Sequence, residues 1–95
     1  MKSLVFSPAS QADIEVIWDY TAERWGLDQA DRYTDDIRDV CQGLASGHRQ
    51  GRLVDFRQGY LKCRVGSHIV YFRDHADRIE VVRILHGRMD VDRHL

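Results

Sequence analysis

The hydrophobic pattern changes its period near Gly47, and this change limits the fold more than any other feature of the sequence. Before Gly47 the apolar residues recur every three or four positions, as they do on one face of an α-helix. After it they alternate with polar residues, which is the pattern of β-strands with one buried face. The sequence therefore predicts helices followed by a sheet, in which the helices cover one face of the sheet.

The first helix is predicted to run from Ala9 to Trp25, after a short β-prone stretch over Lys2–Phe6. Ser7 can cap its N-terminus and Pro8 suits its first turn. Its apolar residues form a stripe that needs a partner surface to bury it. The stripe is predicted to consist of Ile14, Ile17, Trp18, Thr21 or Ala22, and Trp25.

Gly26 separates this helix from a second one. We expect Gly26 to end the first helix in a left-handed conformation, and Asp28 to cap the second helix, which closes at Gly47. A connection this short forces the two helices to run antiparallel as a hairpin. The second stripe, which should face the same core, consists of Ala30, Tyr33, Ile37, Val40 or Cys41, and Leu44.

The second half contains one clear β-hairpin. Two alternating runs, Tyr60–Val65 and His68–Arg73, flank Gly66-Ser67, where glycine at the first central position suits a type II′ turn. This turn places Val65 opposite His68 and fixes the rest of the register. The apolar face, which should receive the helices, consists of Leu61, Cys63, Val65, Val70 and Phe72, with His68. The opposite face, which is basic and aromatic, consists of Tyr60, Lys62, Arg64, Tyr71 and Arg73, with Ile69.

Two further strands are predicted around this hairpin, a weak one over Leu53–Phe56 and a strongly β-branched one over Ile79–His86. The second strand is apolar on both faces, and we expect its Arg83 to join the basic face. The predicted fold class is α+β, with an N-terminal strand and an antiparallel helical hairpin packed on one face of an antiparallel sheet. Residues 1–95 are expected to form a single domain.

Composition removes several classes of protein. No stretch is apolar over the roughly 18–20 residues that a membrane helix needs. The start of the chain lacks a signal-peptide pattern, so we expect a cytoplasmic location and no membrane partner. Cys41 and Cys63 do not form a disulfide framework or a zinc ribbon, and the five histidines share no ligand spacing. Neither a metal nor a cofactor is predicted.

The charges are divided between the two halves. Lys and Arg number 14 and Asp and Glu 15 in the whole chain. The acids nevertheless predominate in the helical half, and the cations predominate after it. A basic surface attracts phosphates or acidic protein segments, so the strand half is expected to contact a partner of that kind.

Several segments, taken in order, resemble one protein family. They are Ile17–Gly26, Gln29–Tyr33, Gly59-Tyr60, Arg64–Arg73 and Val82–Asp90. Together they resemble the helices and strands of the ParE toxins of type II toxin–antitoxin systems, over essentially the whole chain. The resemblance implies the RelE/ParE fold and a bacterial cytoplasmic toxin. It also implies two partners, DNA gyrase as the target and a ParD-type antitoxin that neutralises the toxin.

The resemblance also implies two sets of contact residues. The C-terminal segment is expected to bind the target, through Arg83, His86, Arg88, Met89 and Arg93. The antitoxin is expected to lay a helix on the helical hairpin and an acidic stretch along the basic side. Its contacts would be Trp18, Tyr20, Trp25, Lys62, Arg64, Tyr71 and Arg73.

Two local features qualify these sets. Trp18 and Tyr20 are two positions apart on a helix and cannot share one buried face, so at least one aromatic should be free for a partner. Asp90 can cap a short last helical turn that carries Val91 and Leu95. We therefore expect Asp90 and Leu95 to be structural rather than target-binding residues.

Two alternatives to gyrase inhibition remain open. RelE-like toxins of the same fold cleave messenger RNA in the ribosome, which requires cations and a proton-transferring group. Lys62, Arg64 and Arg83 supply cations, but the matching C-terminal stretch Gly87–Asp90 contains no tyrosine. His86 could replace it, because imidazole titrates near neutrality, or it could simply be packed or hydrogen-bonded at the strand end. We expect no enzymatic activity, with a ribonuclease or a non-toxic interaction module as the alternatives.

Overall fold

Two long helices lie against one face of a five-stranded sheet in the computed structural model, which describes residues 1–95. The strand order across the sheet is β1-β5-β4-β3-β2. The predicted α+β class is confirmed. In chain order the elements are β1 (Ser3–Phe6), α1 (Pro8–Trp25), α2 (Leu27–Ser46), β2 (Arg52–Leu53), β3 (Leu61–Val65), β4 (His68–Asp74), β5 (Arg78–His86) and a 3₁₀ turn at Val91–Arg93.

The sheet is mixed rather than wholly antiparallel. Strand β1 runs parallel to β5, with Ser3 opposite Arg78 and Phe6 opposite Val81, whereas all other strand pairs are antiparallel. A four-residue strand carries no local signal for the direction of a partner far away in the chain, so the prediction missed this pairing. Because β5 is flanked on both sides along its first half, its many β-branched residues lie inside the sheet.

The β3–β4 hairpin has the predicted register. Val65 lies opposite His68, and Leu61 lies opposite Phe72 at the other end. Gly66 has a φ of +57°, while no residue other than glycine has a positive φ, which are the signs that a type II′ turn requires. A side chain at Gly66 would also come within 2.7 Å of the Tyr33 ring. The turn therefore needs glycine for its backbone conformation and for its contact with α2.

The helix ends agree with the prediction at two of the four termini. The Ser10 N–H donates to the Ser7 hydroxyl at 3.0 Å, so Ser7 caps α1, and Gly47 ends α2 in the left-handed conformation. Asp28 does not cap α2, which begins directly after Gly26. Gly26 donates to the carbonyl of Ala22 and accepts from the N–H of Ala30. With φ +93° and ψ 168° it is not left-handed helical as expected, and it joins the two helices without any linker.

The main core lies between the helices and the sheet and contains 13 buried residues. The second helix buries its predicted stripe, including both Val40 and Cys41, except that Tyr33 is only partly buried. The first helix differs, because Trp25 at its end is 72% exposed and is not part of the core. The α1 side chains that are buried are Ser10, Ile14, Ile17 and Thr21. Burial also raises the pKa of Cys41 to about 12, so its thiol stays protonated, as expected of a buried structural cysteine.

The predicted strand over Leu53–Phe56 is shorter and earlier in the structure. Only Arg52 and Leu53 pair with β3. The chain then turns at Val54, whose N–H donates to the Tyr60 carbonyl at 3.1 Å and whose side chain is buried on the second sheet face. The strand thus ends at Leu53, before Val54.

Candidate interaction sites

The sheet face opposite the helices, which the sequence predicts to be basic and aromatic, is covered at its centre. Three residues at its centre, Val54, Tyr71 and Leu85, are buried. The C-terminal turn covers them with Val91 and Leu95. Tyr71 is only 5% exposed, so its side chain offers little surface for the antitoxin contact that was predicted for it. The reason is that the chain folds its own last residues onto this face.

Asp90 and Leu95 have the structural roles that were predicted. The carboxylate of Asp90 accepts the Asp92 N–H at 3.3 Å, and so caps the 3₁₀ turn at Val91–Arg93. Leu95 packs on the buried residues of the second face. The turn therefore fixes the end of the segment that follows β5.

Arg83 lies opposite Tyr71, in the row of the basic face that was predicted for it. Its guanidinium is nevertheless occupied. The Nε and Nη2 groups donate to the two carboxylate oxygens of Asp13 at 2.8 Å each, and Nη1 donates to the His94 carbonyl at 3.1 Å. The hydrogen bonds that Arg83 donates to Asp13 raise the pKa of its guanidinium further. Because Asp13 also accepts the Ile84 N–H at 2.8 Å, this pair connects α1, β5 and the C-terminal turn.

An apolar cleft of about 300 Å³ lies between α1 and the end of β5. Three of its side chains are large, apolar and exposed: Val16 (66%), Tyr20 (58%) and Met89 (49%). The cleft brings together Tyr20, predicted for the antitoxin, and two residues predicted for the target, His86 and Met89. Its full lining is Asp13, Val16, Ile17, Tyr20, His68, Ile84, Leu85, His86 and Met89.

Two histidines form one side of this cleft. His68 and His86 lie opposite each other in the sheet, with ring centroids 5.3 Å apart. The Tyr33 hydroxyl accepts the Ser67 N–H at 3.1 Å and donates to His68 Nδ1 at 2.6 Å. Burial, helped by the neighbouring His86, lowers the pKa of His68 to about 4, so its ring is neutral at pH 7 and can accept this bond.

The sequence left two roles open for His86, a catalytic one and a hydrogen-bonded one at the strand end. The structure shows the hydrogen bonds. Its Nδ1 accepts the Arg88 N–H at 3.1 Å, and its carbonyl accepts the Met89 N–H at 2.9 Å. These bonds shape the start of the segment after β5. The other residues predicted for the target, Arg88, Met89 and Arg93, are all exposed along that segment, and Arg93 is paired with Asp90 at 3.5 Å.

The three aromatic residues of α1 differ in their environments. The Trp18 indole donates to Asp31 at 2.8 Å and so joins α1 to α2. Tyr20 is exposed, and the Arg24 guanidinium lies 5.2 Å from the centre of its ring. Trp25 is exposed at the end of the hairpin. Two aromatics of α1, Tyr20 and Trp25, thus lie outside the core, as helical spacing requires of at least one of them.

The basic residues predicted for the antitoxin lie on another part of the surface. Lys62 and Arg64 are on β3 and Arg73 is on β4, and none of them lines the cleft. Arg64 Nε donates to the Gly66 carbonyl at 3.1 Å, and Arg73 lies 5.5 Å from the centre of the Tyr60 ring. The predicted antitoxin set is therefore divided between two surfaces.

Two residues of the cleft, Asp13 and Val16, were missed by the sequence analysis. They share one side of α1 with Ile17 and Tyr20, at the three- and four-residue spacing of neighbours on a helix. The signal in the sequence was Val16, an apolar residue that lies outside the predicted buried stripe of the helix. Elsewhere, no group of three or more His, Cys, Asp or Glu residues is placed to hold a metal ion. No helix combines the length and apolar character needed to cross a bilayer.

Comparison with known proteins identifies the family. Residues 4–91 match the family model of the ParE toxin of type II toxin–antitoxin systems, parDE. The chain is similar to toxin ParE1 of Mycobacterium tuberculosis, with 46% identity over 93 residues that cover 96% of this chain and 95% of that protein. It is also similar to toxin ParE1 of Caulobacter vibrioides, with 34% identity over 96 residues that cover 100% and 99% of the two chains.

Solved structures share the fold. A chromosomal ParDE toxin–antitoxin system from P. aeruginosa superposes with a TM-score of 0.78 and 22% identity, over 90% of this chain and 96% of that one. The toxin–antitoxin complex RelBE2 from Mycobacterium tuberculosis superposes with a TM-score of 0.67 and 15% identity, over 90% of this chain and 96% of that one. With a family match over nearly its whole length and two closely similar relatives, this protein belongs to the ParE toxin family of type II toxin–antitoxin systems.

Proposed function

We propose that the chain inhibits DNA gyrase in the bacterial cytoplasm and that a ParD-type antitoxin neutralises it. The observation that carries the proposal is the exposed segment directly after β5, in a chain of the ParE family. Arg88 in this segment takes part in no ion pair, and Met89 beside it is 49% exposed. A guanidinium pairs well with carboxylates and phosphates, and a thioether adapts its shape to an apolar partner.

The toxin would act by binding. A small protein stops a large enzyme when it binds one conformational state of that enzyme more tightly than the others. The segment after β5 suits this role because both of its ends are held. Hydrogen bonds from Arg88 and Met89 to His86 fix its start, and Val91 and Leu95 fix its end on the sheet. A segment held in this way loses less conformational entropy on binding than a free tail would.

We assign the antitoxin to the cleft and to the exposed aromatics of α1. An amphipathic helix can place apolar side chains against Val16, Tyr20 and Met89. Since Met89 belongs to the segment proposed for gyrase, an antitoxin in the cleft would cover part of the surface used for the target. The RelBE2 structure is a toxin–antitoxin complex, which supports an antitoxin partner for this fold.

The features of the sheet favour binding over cleavage of RNA. Arg83, one of the three cations available to the ribonuclease alternative, is paired with Asp13. Tyr71 is buried, and burial raises its pKa, which makes it a poor proton donor or acceptor at neutral pH. His86 Nδ1 already accepts a backbone hydrogen bond. Two groups that could transfer protons near Lys62 and Arg64 are therefore buried or hydrogen-bonded through one ring nitrogen.

The test is a pair of assays with the purified toxin. In a gyrase reaction we expect it to block supercoiling or to accumulate cleaved DNA. In a ribosome-containing translation reaction we expect messenger RNA to remain intact. Cleavage of messenger RNA with undisturbed supercoiling would replace this proposal with the ribonuclease alternative. No effect in either assay would indicate a non-toxic interaction module.

A single substitution sharpens the test. Replacing Arg88→Ala removes an exposed charged group, and loss of a charged hydrogen bond to the target should weaken gyrase inhibition roughly tenfold or more. Arg32→Ala is the matched control, because Arg32 is exposed on α2 and makes no ion pair. Both variants should bind the antitoxin like the parent, and full inhibition by Arg88→Ala would exclude Arg88 from the target contact. Truncation after Gly87 is less useful, because it also removes Val91 and Leu95 from the sheet.

A further inference from the structure

We propose that the β2–β3 side of the sheet binds the phosphate backbone of duplex DNA. The binding surface is a group of four cations, which we call the basic band: Arg52, Lys62, Arg64 and Arg73. This inference concerns the toxin alone and does not depend on contact with gyrase.

The first observation is an unfavourable pair of like charges. Arg52 on β2 lies directly opposite Lys62 on β3, and like charges at such positions destabilise a sheet. No carboxylate compensates them, because the ion pairs of the protein involve none of the four cations of the band. A bound polyanion would remove this repulsion.

The second observation is that the cations are adjacent and held in place. Lys62 and Arg64 are two positions apart on β3 and so project from the same face. Arg64 Nε is fixed by the Gly66 carbonyl, which leaves its terminal nitrogens free to pair with an anion. Arg73 lies across the Tyr60 ring, where its side chain is ordered by that contact. Guanidinium groups ordered in this way suit bidentate pairing with phosphate oxygens.

The third observation is the separation of charge across the molecule. Every Asp and Glu among residues 1–45 lies in α1 or α2. Asp36 and Asp39 of α2 line a second, separate pocket together with Arg64 and mark the acidic limit of the band. A polyanion is therefore repelled by the helices and attracted by the β2–β3 side, so a protein with a net charge of −1 can still bind it in one orientation.

Duplex DNA fits this surface better than an acidic peptide does. A peptide that folds on binding gains much of its affinity from apolar side chains in pockets. The three buried apolar residues of this face, Val54, Tyr71 and Leu85, are already covered by the chain's own C-terminal turn. A phosphate backbone needs only the cations.

Duplex DNA also fits better than single-stranded RNA. Unpaired bases bind largely by stacking on exposed aromatic rings. Tyr71 is buried, and the guanidinium groups of Arg57 and Arg73 both lie 5.5 Å from the centre of the Tyr60 ring. Neither tyrosine of the face is free to stack on a base.

The experiment measures binding of the purified toxin to a fluorescent 20-base-pair duplex at several salt concentrations. Four phosphate contacts predict a slope of roughly −3 to −4 when the logarithm of the association constant is plotted against that of the salt concentration. The comparison ligands are a single-stranded RNA of 20 nucleotides and a glutamate-rich peptide of the same length. Tighter binding of either comparison ligand at equal salt, or no binding of the duplex at low salt, would overturn the proposal.

Variants locate the site. The double substitution Arg52→Ala and Lys62→Ala should make the slope less negative by about 2, because each lost contact contributes roughly 0.9. Arg64→Ala with Arg73→Ala should have a similar effect and serves as an independent pair. The control, Arg32→Ala with Arg38→Ala, removes two exposed cations of α2 and should leave the slope unchanged. An equal change of the slope in the control would show that DNA does not bind at the basic band. The gyrase assay tests the proposed function separately, because it does not measure DNA binding by the toxin alone.

Discussion

The two faces of the sheet are buried by different kinds of structure. On one face, side chains of α1 and α2 join the strands in a core of 13 buried residues. On the other face, a loop and the C-terminal turn cover only three buried residues. Because burial of apolar surface is the main stabilising term in folding, the helical face carries the fold. The second face mainly holds the C-terminal segment in position, so changes there should be more local.

The largest effect should come from the helical face. Ile37 on α2 is fully buried in the main core. Replacing it by Ala leaves a cavity and should lower the free energy of unfolding by about 2–5 kcal/mol, as urea unfolding at pH 7.5 would measure. A loss below about 1 kcal/mol would mean that the core can collapse around the cavity, and that the contrast between the two faces is weaker than the burial suggests.

The next effect should come from the pair that connects the two faces. Asp13→Asn removes the negative partner of the Arg83 guanidinium and should cost about 2 kcal/mol, the usual range for a hydrogen bond to a charged group. Amide exchange in the C-terminal turn should also become faster, because Arg83 would hold the His94 carbonyl less firmly. The control is Asp19→Asn on the exposed side of the same helix. Equal losses in the two variants would show that the Asp13–Arg83 pair adds nothing specific.

Acidification should have a smaller effect at the junction of α2 and the sheet. The pKa of His68 is about 4 in the folded protein, against an ordinary value of about 6.5. The folded state therefore prefers the neutral ring, and its contribution to stability is complete above about pH 6.5 and is lost as the pH falls toward 4. His86 opposes protonation of this ring, Asp13 favours it, and Tyr33 donates to its Nδ1.

Urea midpoints at pH 7.5 and pH 5 provide the measurement. The parent should lose more stability between these values than His68→Gln, which keeps an acceptor for the Tyr33 hydroxyl but does not titrate. Identical losses would assign the pH dependence to other groups.

The smallest effect should come from the edge of the second face. Leu95 packs beside the buried cluster but remains partly exposed. Leu95→Ala should lower the free energy of unfolding by about 1 kcal/mol, with faster amide exchange confined to the C-terminal turn. A loss as large as that of Ile37→Ala would show that the second face is as important to the fold as the first.

Features that depend on neighbours in the chain could be predicted from the sequence. The β3–β4 register follows from Gly66-Ser67 and the alternation around it, and the Ser7 cap follows from the residues next to it. Features that depend on distant partners could not. Neither the parallel pairing of β1 with β5 nor the bond between Asp13 and Arg83 has a local signal, because each joins residues about 70 or more positions apart.

The same distinction applies to the interaction sites. The free aromatics of α1 could be anticipated, since helical spacing alone prevents Trp18 and Tyr20 from sharing a buried face. Tyr71 could not be placed correctly, because alternation assigns it to the second face but does not show that Val91 and Leu95 cover it. Arg83 was assigned to the correct row of the sheet. Its partner Asp13 could not be predicted, because in the sequence it resembles the solvent-exposed acidic residues of the same helix.

The parallel pairing of β1 with β5 has a consequence for the nascent chain. The Ser7 hydroxyl bonds to the carbonyl of Val82, 75 residues later, so the first strand and the start of α1 are completed by one of the last elements to be synthesised. Pairings over such distances form slowly and only once both strands are present. While the ribosome still holds β5, the polypeptide has neither a closed sheet nor a shaped segment after it. The segment proposed to bind the target is therefore completed only when translation is almost finished.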